Sequence, residues 1–145
     1  METIRISDIL KLEKSGLELT VNGWVRTRRD ARGFCFLEIN DGSCLANLQV
    51  IAPETLPDYD TLIQKITTGS SVSVKGTLVD SPAQGQKFEL HALSLDVPGL
   101  APQDYPLQKK KHSLEFLREI AHLRPRTNSI GAVARIRSSL SYAVH

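Results

Sequence analysis

The chain has 145 residues, of which 41% are hydrophobic and 23% charged, with two cysteines and a formal net charge of +2. That is room for one domain with a real core plus a short extension. It excludes a membrane partner, because no apolar run is long enough to span a bilayer, and METIRISDIL lacks the basic-then-apolar layout of a signal peptide. Cys35 and Cys44 stand in no metal-ligand spacing and imply no disulfide framework, so the cytoplasm is the expected compartment. The small net charge hides an asymmetry. Residues 1–104 carry 10 Lys/Arg against 14 Asp/Glu, whereas residues 105–145 carry 8 against 2. Within the acidic part, Arg26, Arg28, Arg29 and Arg32 form a local basic cluster, and phosphate binding needs local positive potential more than overall charge.

Taken in order, residues 4–14 predict a short helix with Ser7 as its N-cap and Gly16 ready to stop it. From Leu17 the pattern has period two: Leu17, Leu19, Val21, Gly23 and Val25 alternate with polar residues, so a first strand with one buried face follows. The alternation turns Arg28 outward with Arg26, while a bulge near Gly23 or Arg28 would turn Arg29 outward instead. Trp24 is either a packing residue at the rim or a second stacking platform. Residues 33–49 predict a hairpin around the turn Asn40-Asp41-Gly42-Ser43. On it, Phe34, Phe36 and Glu38 share one face, and Asn47, Gln49 and Ile51 share one on the returning run, opposite Ala46, Leu48 and Val50. Phenylalanines on a face with carboxylates and amides suit a surface that stacks bases and reads their edges. A strand buried on both faces is the bland alternative.

Residues 53–68 predict a short amphipathic helix bearing Leu62, Ile63 and Ile66, bounded by Pro53 and Pro57. Ser71 to Val79 predicts a fourth strand with Val72, Val74 and Leu78 inward. The segment SPAQGQ predicts a turn. A fifth strand over residues 87–96 turns Phe88, Leu90 and Ala92 inward and Lys87, Glu89 and His91 outward. Three strands, a helix and two more strands is the element order of the OB-fold, a five-stranded, partly open all-β barrel that binds oligonucleotides on the face around strands two and three. A small sandwich shares that order.

Residues 97–112, with three prolines and Lys109-Lys110-Lys111, predict a linker. The lysines read as solvated or as phosphate contacts. Residues 113–145 predict helices. Ser113 is the expected cap of a first one bearing Leu114, Leu117, Ile120 and Ala121, and Pro125 interrupts it. A second has Ile130, Val133, Ile136, Leu140 and Val144 at spacings of three or four. That stripe must bury against something, so either the chain is cut short of its natural length or the helix docks on a partner. The histidines are scattered and read as structural or surface residues. No glycine-rich phosphate loop, HxE or CxxC pair is present.

VNGWVRTRRDARGFCFLEINDG, the later LQV and KFELHA resemble the anticodon-binding domain of class IIb aminoacyl-tRNA synthetases. YPLQKKKHSLEFLREIAHLRPRTNSIGAVARIRSSLSYAVH resembles the hinge and the start of the catalytic domain of bacterial-type asparaginyl-tRNA synthetases, running into the dimer-forming motif 1 helix. The barrel motif alone does not separate the asparagine, aspartate and lysine enzymes; HSLEFLREIAHLRPRTN points to asparagine. The resemblance implies an anticodon-binding barrel over 1–96, a hinge over 97–112 and the start of the class II catalytic domain over 113–145. It implies that Phe36 stacks on the central anticodon base and that Gln49 reads it, one amide answering the donor and acceptor of uracil. It makes Glu89 the acceptor for a guanine-like first base, and Arg29 a contact to the anticodon loop; Arg26 and Arg28 are further candidates for the RNA backbone. The partners implied are the tRNA for asparagine and a second copy in the full-length protein. ATP and magnesium serve motifs 2 and 3, which lie beyond residue 145, so this chain alone is expected to do only the recognition step and to need no cofactor. An aspartyl-tRNA synthetase and a free-standing single-strand-binding OB protein are the rival readings.

Overall fold

A computed structural model describes residues 3–145. The chain divides into two compact units, Met1–Tyr105 and Pro106–His145. The first unit holds five strands, β1 (Glu18–Ala31), β2 (Phe34–Asn40), β3 (Leu48–Pro53), β4 (Ser71–Asp80) and β5 (Phe88–Gly99). They close into a barrel in the order β1-β2-β3-β5-β4, with β3 parallel to β5 and the other pairings antiparallel. The expected OB-fold is therefore present. Period-two alternation decided the inside: Leu19, Val21 and Val25, then Cys35, Leu37 and Ile39, then Leu48 and Val50, then Val72, Val74 and Leu78, then Phe88, Leu90 and Ala92 are all buried. Leu17 departs from its expected burial and is 48% exposed, because β1 begins one residue later, although Leu17 O accepts from Leu78 N (2.9 Å).

Two helices expected from the sequence are much reduced. The N-terminal one, α1, spans only Ile6–Ile9, and Arg5, not Ser7, stands at its N-cap without a side-chain cap. Its leading N–H groups are satisfied from far along the chain: Ile6 N donates to Asp41 Oδ2 (2.9 Å) and Ser7 N to Ser43 Oγ (3.0 Å). A remote loop thus does what a local cap would do. The segment between β3 and β4 forms turns and a single 3₁₀ turn, Ile63–Lys65, in place of an amphipathic helix. Pro57 and Asp58, whose φ is +58°, break any helical path there, and both Leu62 and Ile63 donate their N–H to Asp58 O. The segment still buries Leu56, Tyr59, Ile63 and Ile66 against the barrel core.

The hairpin loop is also longer than expected, since β3 starts at Leu48 and Ala46 is exposed. Asn40 organises it, accepting from Gly42 N (2.8 Å) and donating from Nδ2 to Ala46 O (2.8 Å). Gly76 marks the register shift between β4 and β5, where a Cβ would lie 2.3 Å from His91 O, so only glycine fits that corner. Strand β5 runs on to Gly99, and Ala101 N–H donates to Ser70 Oγ (3.0 Å), fastening the residues after the strand to the barrel.

In the second unit, α2 (Leu114–Glu119) is capped by Ser113 as expected, its Oγ accepting from Phe116 N (3.2 Å). It ends before Ala121, a 3₁₀ turn over Arg124–Arg126 contains Pro125, and α3 spans Asn128–Val144. Along α3, Val133, Ile136 and Leu140 are about 60% exposed. No helix among the described residues is long and apolar enough to cross a membrane.

Candidate nucleic-acid interface

The face of the barrel is set by one irregularity in β1. The register against β2 shifts between Val25 and Thr27, after which Arg28 pairs with Leu37 and Arg29 with Phe36. Directly opposed residues share a face, so the bulge turns Arg28 to the inner side and Arg29 to the outer one. Arg28 is then consumed by the fold. Its guanidinium donates to the carbonyls of Ile63 (2.8 Å), Gln64 and Ile66 (3.2 Å) and pairs with Asp30 (2.7 Å), holding the turn that closes the barrel floor. The outward Arg28 expected from plain alternation is thereby corrected: a bulge falls at Arg26, between the two positions considered. Arg26 itself is half-buried there, and its carbonyl accepts from Thr68 Oγ1 (3.4 Å).

On the outer face the pairings line up two rows across β1, β2, β3 and β5. One row is Arg29, Phe36, Ile51 and His91; the other is Thr27, Glu38, Gln49 and Glu89. The Arg29 guanidinium lies 4.5 Å over the Phe36 ring centroid, a cation–π contact that holds an exposed cation beside an aromatic plane. Phe34 meets Phe36 edge-on at 5.0 Å, so it supports the ring from the side. In the second row Gln49 Nε2 donates to Glu89 Oε1 (3.2 Å). Phe36, Gln49, Glu89 and Arg29 are thus brought to one surface, from three strands distant in sequence from the fourth.

Glu89 differs from the expected outward carboxylate in one respect: it is only 3% exposed. The loop between β4 and β5 covers it, with Ser81 Oγ and Gln86 Nε2 each donating to Oε1 at 2.6 Å. Reading SPAQGQ as a turn missed both residues, and no period in the sequence could reveal them, since their reach depends on the loop's path. Ile51 and His91 were legible as outward by alternation, but not as members of the row that begins with Arg29 and Phe36. Trp24 precedes the bulge and lies outside both rows, lining a cleft with Ile4, Asn22, Ser73 and Pro98. Among the described residues no cluster of His, Cys, Asp and Glu could hold a metal ion.

A closed five-stranded barrel with an aromatic, cation-bearing polar face is the architecture of an oligonucleotide-binding domain. In keeping with this, residues 19–98 match the tRNA anti-codon family, described as the OB-fold nucleic acid binding domain, and the chain belongs to that family. It is similar to the asparagine–tRNA ligase of Desulfotalea psychrophila, 59% identical over 142 residues that make up 97% of this chain and 32% of that protein. The asparagine–tRNA ligase of Microcystis aeruginosa is 53% identical over 143 residues, 99% of this chain and 32% of its own. The chain therefore spans about a third of the length of these curated relatives. Among solved structures, the asparaginyl-tRNA synthetase of Pyrococcus horikoshii complexed with asparaginyl-adenylate aligns with 99% of this chain and 33% of its own, at a TM-score of 0.79 and 23% identity. The aspartyl tRNA synthetase of Entamoeba histolytica aligns with 95% of this chain and 35% of its own, at 0.74 and 21%. At such identities these two likenesses establish the fold.

Proposed function

We propose that this chain is the anticodon-recognition part of an asparagine–tRNA ligase, a cytoplasmic enzyme whose full length would use ATP and magnesium to ligate asparagine to its tRNA. The single observation that supports it best is the in-register juxtaposition of Gln49 and Glu89 beside Phe36 and Arg29. Phe36 offers a ring on which the central base stacks, and Gln49 on the neighbouring strand answers the donor and acceptor edge of uracil. Glu89 accepts from a guanine-like first base, and Arg29 supplies positive charge to the loop backbone. Arg26 is the second candidate for that charge; Arg28 is spent on the barrel floor. None of these residues is assigned to ATP or magnesium. In the full-length enzyme, α3 contributes to a dimer interface through its apolar stripe.

Titration of the anticodon stem-loop of the asparagine tRNA tests this reading. Replacing the central uracil is expected to weaken binding by about 1–3 kcal/mol, the range for loss of a paired base edge. Equal affinity for all four central bases would overturn it, and tight binding to homopolymers would favour a general single-strand binder.

A further inference from the structure

In this structure the carboxylate of Glu89 is already engaged by donors from the protein itself. Its Oε1 accepts from Ser81 Oγ and Gln86 Nε2, each at 2.6 Å, and from Gln49 Nε2 at 3.2 Å. A carboxylate oxygen offers about two lone-pair sites, so three donors oversubscribe this one. A guanine-like edge presents two adjacent N–H groups and needs both carboxylate oxygens side by side. One of the three present donors must therefore leave Oε1 before such a base can pair there.

The three are not equally free to go. Gln49 belongs to β3 and is locked in register with Glu89. Ser81 stands at the loop's first position, where its N–H donates to Lys87 O (3.0 Å) and its hydroxyl also accepts from Ala83 N (3.1 Å). Gln86 hangs from the loop itself. It follows Gly85, whose φ is +90°, and the residues on both sides of it are exposed. Its amide divides its two hydrogens between Glu89 Oε1 and Ser81 Oγ (2.8 Å). An NH2 group in contact with a carboxylate is also what the exocyclic amino group of guanine would supply. A nearly buried carboxylate needs such a donor whether or not a base is bound, because an unpaired buried charge is strongly unfavourable.

We infer that Gln86 is a surrogate for the base: its amide satisfies Glu89 in the free chain and is exchanged for the Watson–Crick edge of a guanine-like first anticodon base. Gln86 is thus a positioning residue that acts through Glu89, and its occupancy lowers apparent affinity by the fraction of molecules in which it is seated. The inference rests on the reading of Glu89 as the acceptor for that base.

The test uses the 145-residue chain and two stem-loops that differ only in guanine or adenine at the first anticodon position. Gln86→Ala is expected to tighten the guanine loop by about three- to tenfold, the loss of one competing charge-assisted hydrogen bond with two left in place. The adenine loop, which lacks two adjacent donors, should be unaffected. Gln86→Asn, whose amide is one carbon too short to reach, should behave as Gln86→Ala does and guards against a folding artefact in either variant. In the wild type, the Gln86 side-chain amide resonances should shift when the guanine loop is added and stay in place with the adenine loop. Unchanged or weakened guanine binding in both variants overturns the surrogate role. A wild type that does not distinguish the two loops overturns the Glu89 reading itself, and the surrogate role with it.

Discussion

Arg28 and Arg29 are adjacent and chemically identical, yet one bulge gives them unrelated tasks. Arg29 lies exposed over Phe36, while Arg28 donates into three carbonyls on the barrel floor. Phe36→Ala is expected to weaken stem-loop binding by about 1–3 kcal/mol while the barrel stays folded. Arg29→Ala should likewise spare the fold, and it should lower the slope of log affinity against log salt by about 0.7, the release of one counterion from single-stranded RNA. Arg28→Ala should do the reverse, costing about 1–3 kcal/mol of stability by leaving carbonyls without a donor. Chemical denaturation beside salt-series titrations separates the three. A stable Arg28→Ala chain that loses RNA binding would exchange the roles assigned to the two arginines.

At the scale of elements, the short helix α1 exists because the β2–β3 loop caps it. Burial alone would raise the Asp41 carboxyl, but hydrogen bonds from the Ser43 hydroxyl and from the Ile6 and Ser43 N–H groups outweigh it and hold the group below its ordinary value of 3.8. A carboxylate with a depressed folded pKa stabilises above its unfolded pKa, and that contribution fades as pH falls through the folded value. Asp41→Asn is therefore expected to cost about 1 kcal/mol near neutrality, as loss of a cap does. The gap from wild type should close as the pH drops below about 3.8 in acid denaturation series. The barrel floor gives the opposite sign at the alkaline end. Burial and the neighbouring Cys35 thiol push the Tyr59 phenol up to about 12. Its contribution is complete below the unfolded value of 10 and is lost as pH rises through about 12. Wild type should therefore lose stability relative to Tyr59→Phe across that window, and parallel curves for the two chains would show that the phenol ionises without strain.

For the molecule as a whole, the exposed stripe of α3 is the largest departure from what a buried amphipathic helix would show. Val133, Ile136 and Leu140 are each about 60% exposed, although their spacing puts them on one face. Analytical ultracentrifugation is expected to show concentration-dependent self-association of the chain that Ile136→Asp abolishes. A clean monomer at high concentration would remove the dimer role proposed for this helix.

Strand identity and the facing of the apolar residues were legible because period two is a local property: the inward apolar residues from Leu19 to Leu90 are marked by their neighbours, whereas the inward turn of Arg28 is not. The aromatic, polar character of the outer face came with it, since Phe36, Gln49 and Glu89 are outward by the same alternation. The helices are shorter than their apolar spacing predicts. Residues 4–14 and 53–68 carry helical spacing of apolar residues, but the first segment takes its N-terminal cap from Asp41 in a remote loop, and a left-handed backbone at Asp58 interrupts the second. Alternation along the chain settles the facing of most strand residues, but not of Leu17, Arg28 and Glu89, which are exposed, turned inward and buried respectively. A one-residue bulge and the path of a loop, which leave no periodic trace in the chain, set Arg29 rather than Arg28 against Phe36 and lay Gln86 on Glu89.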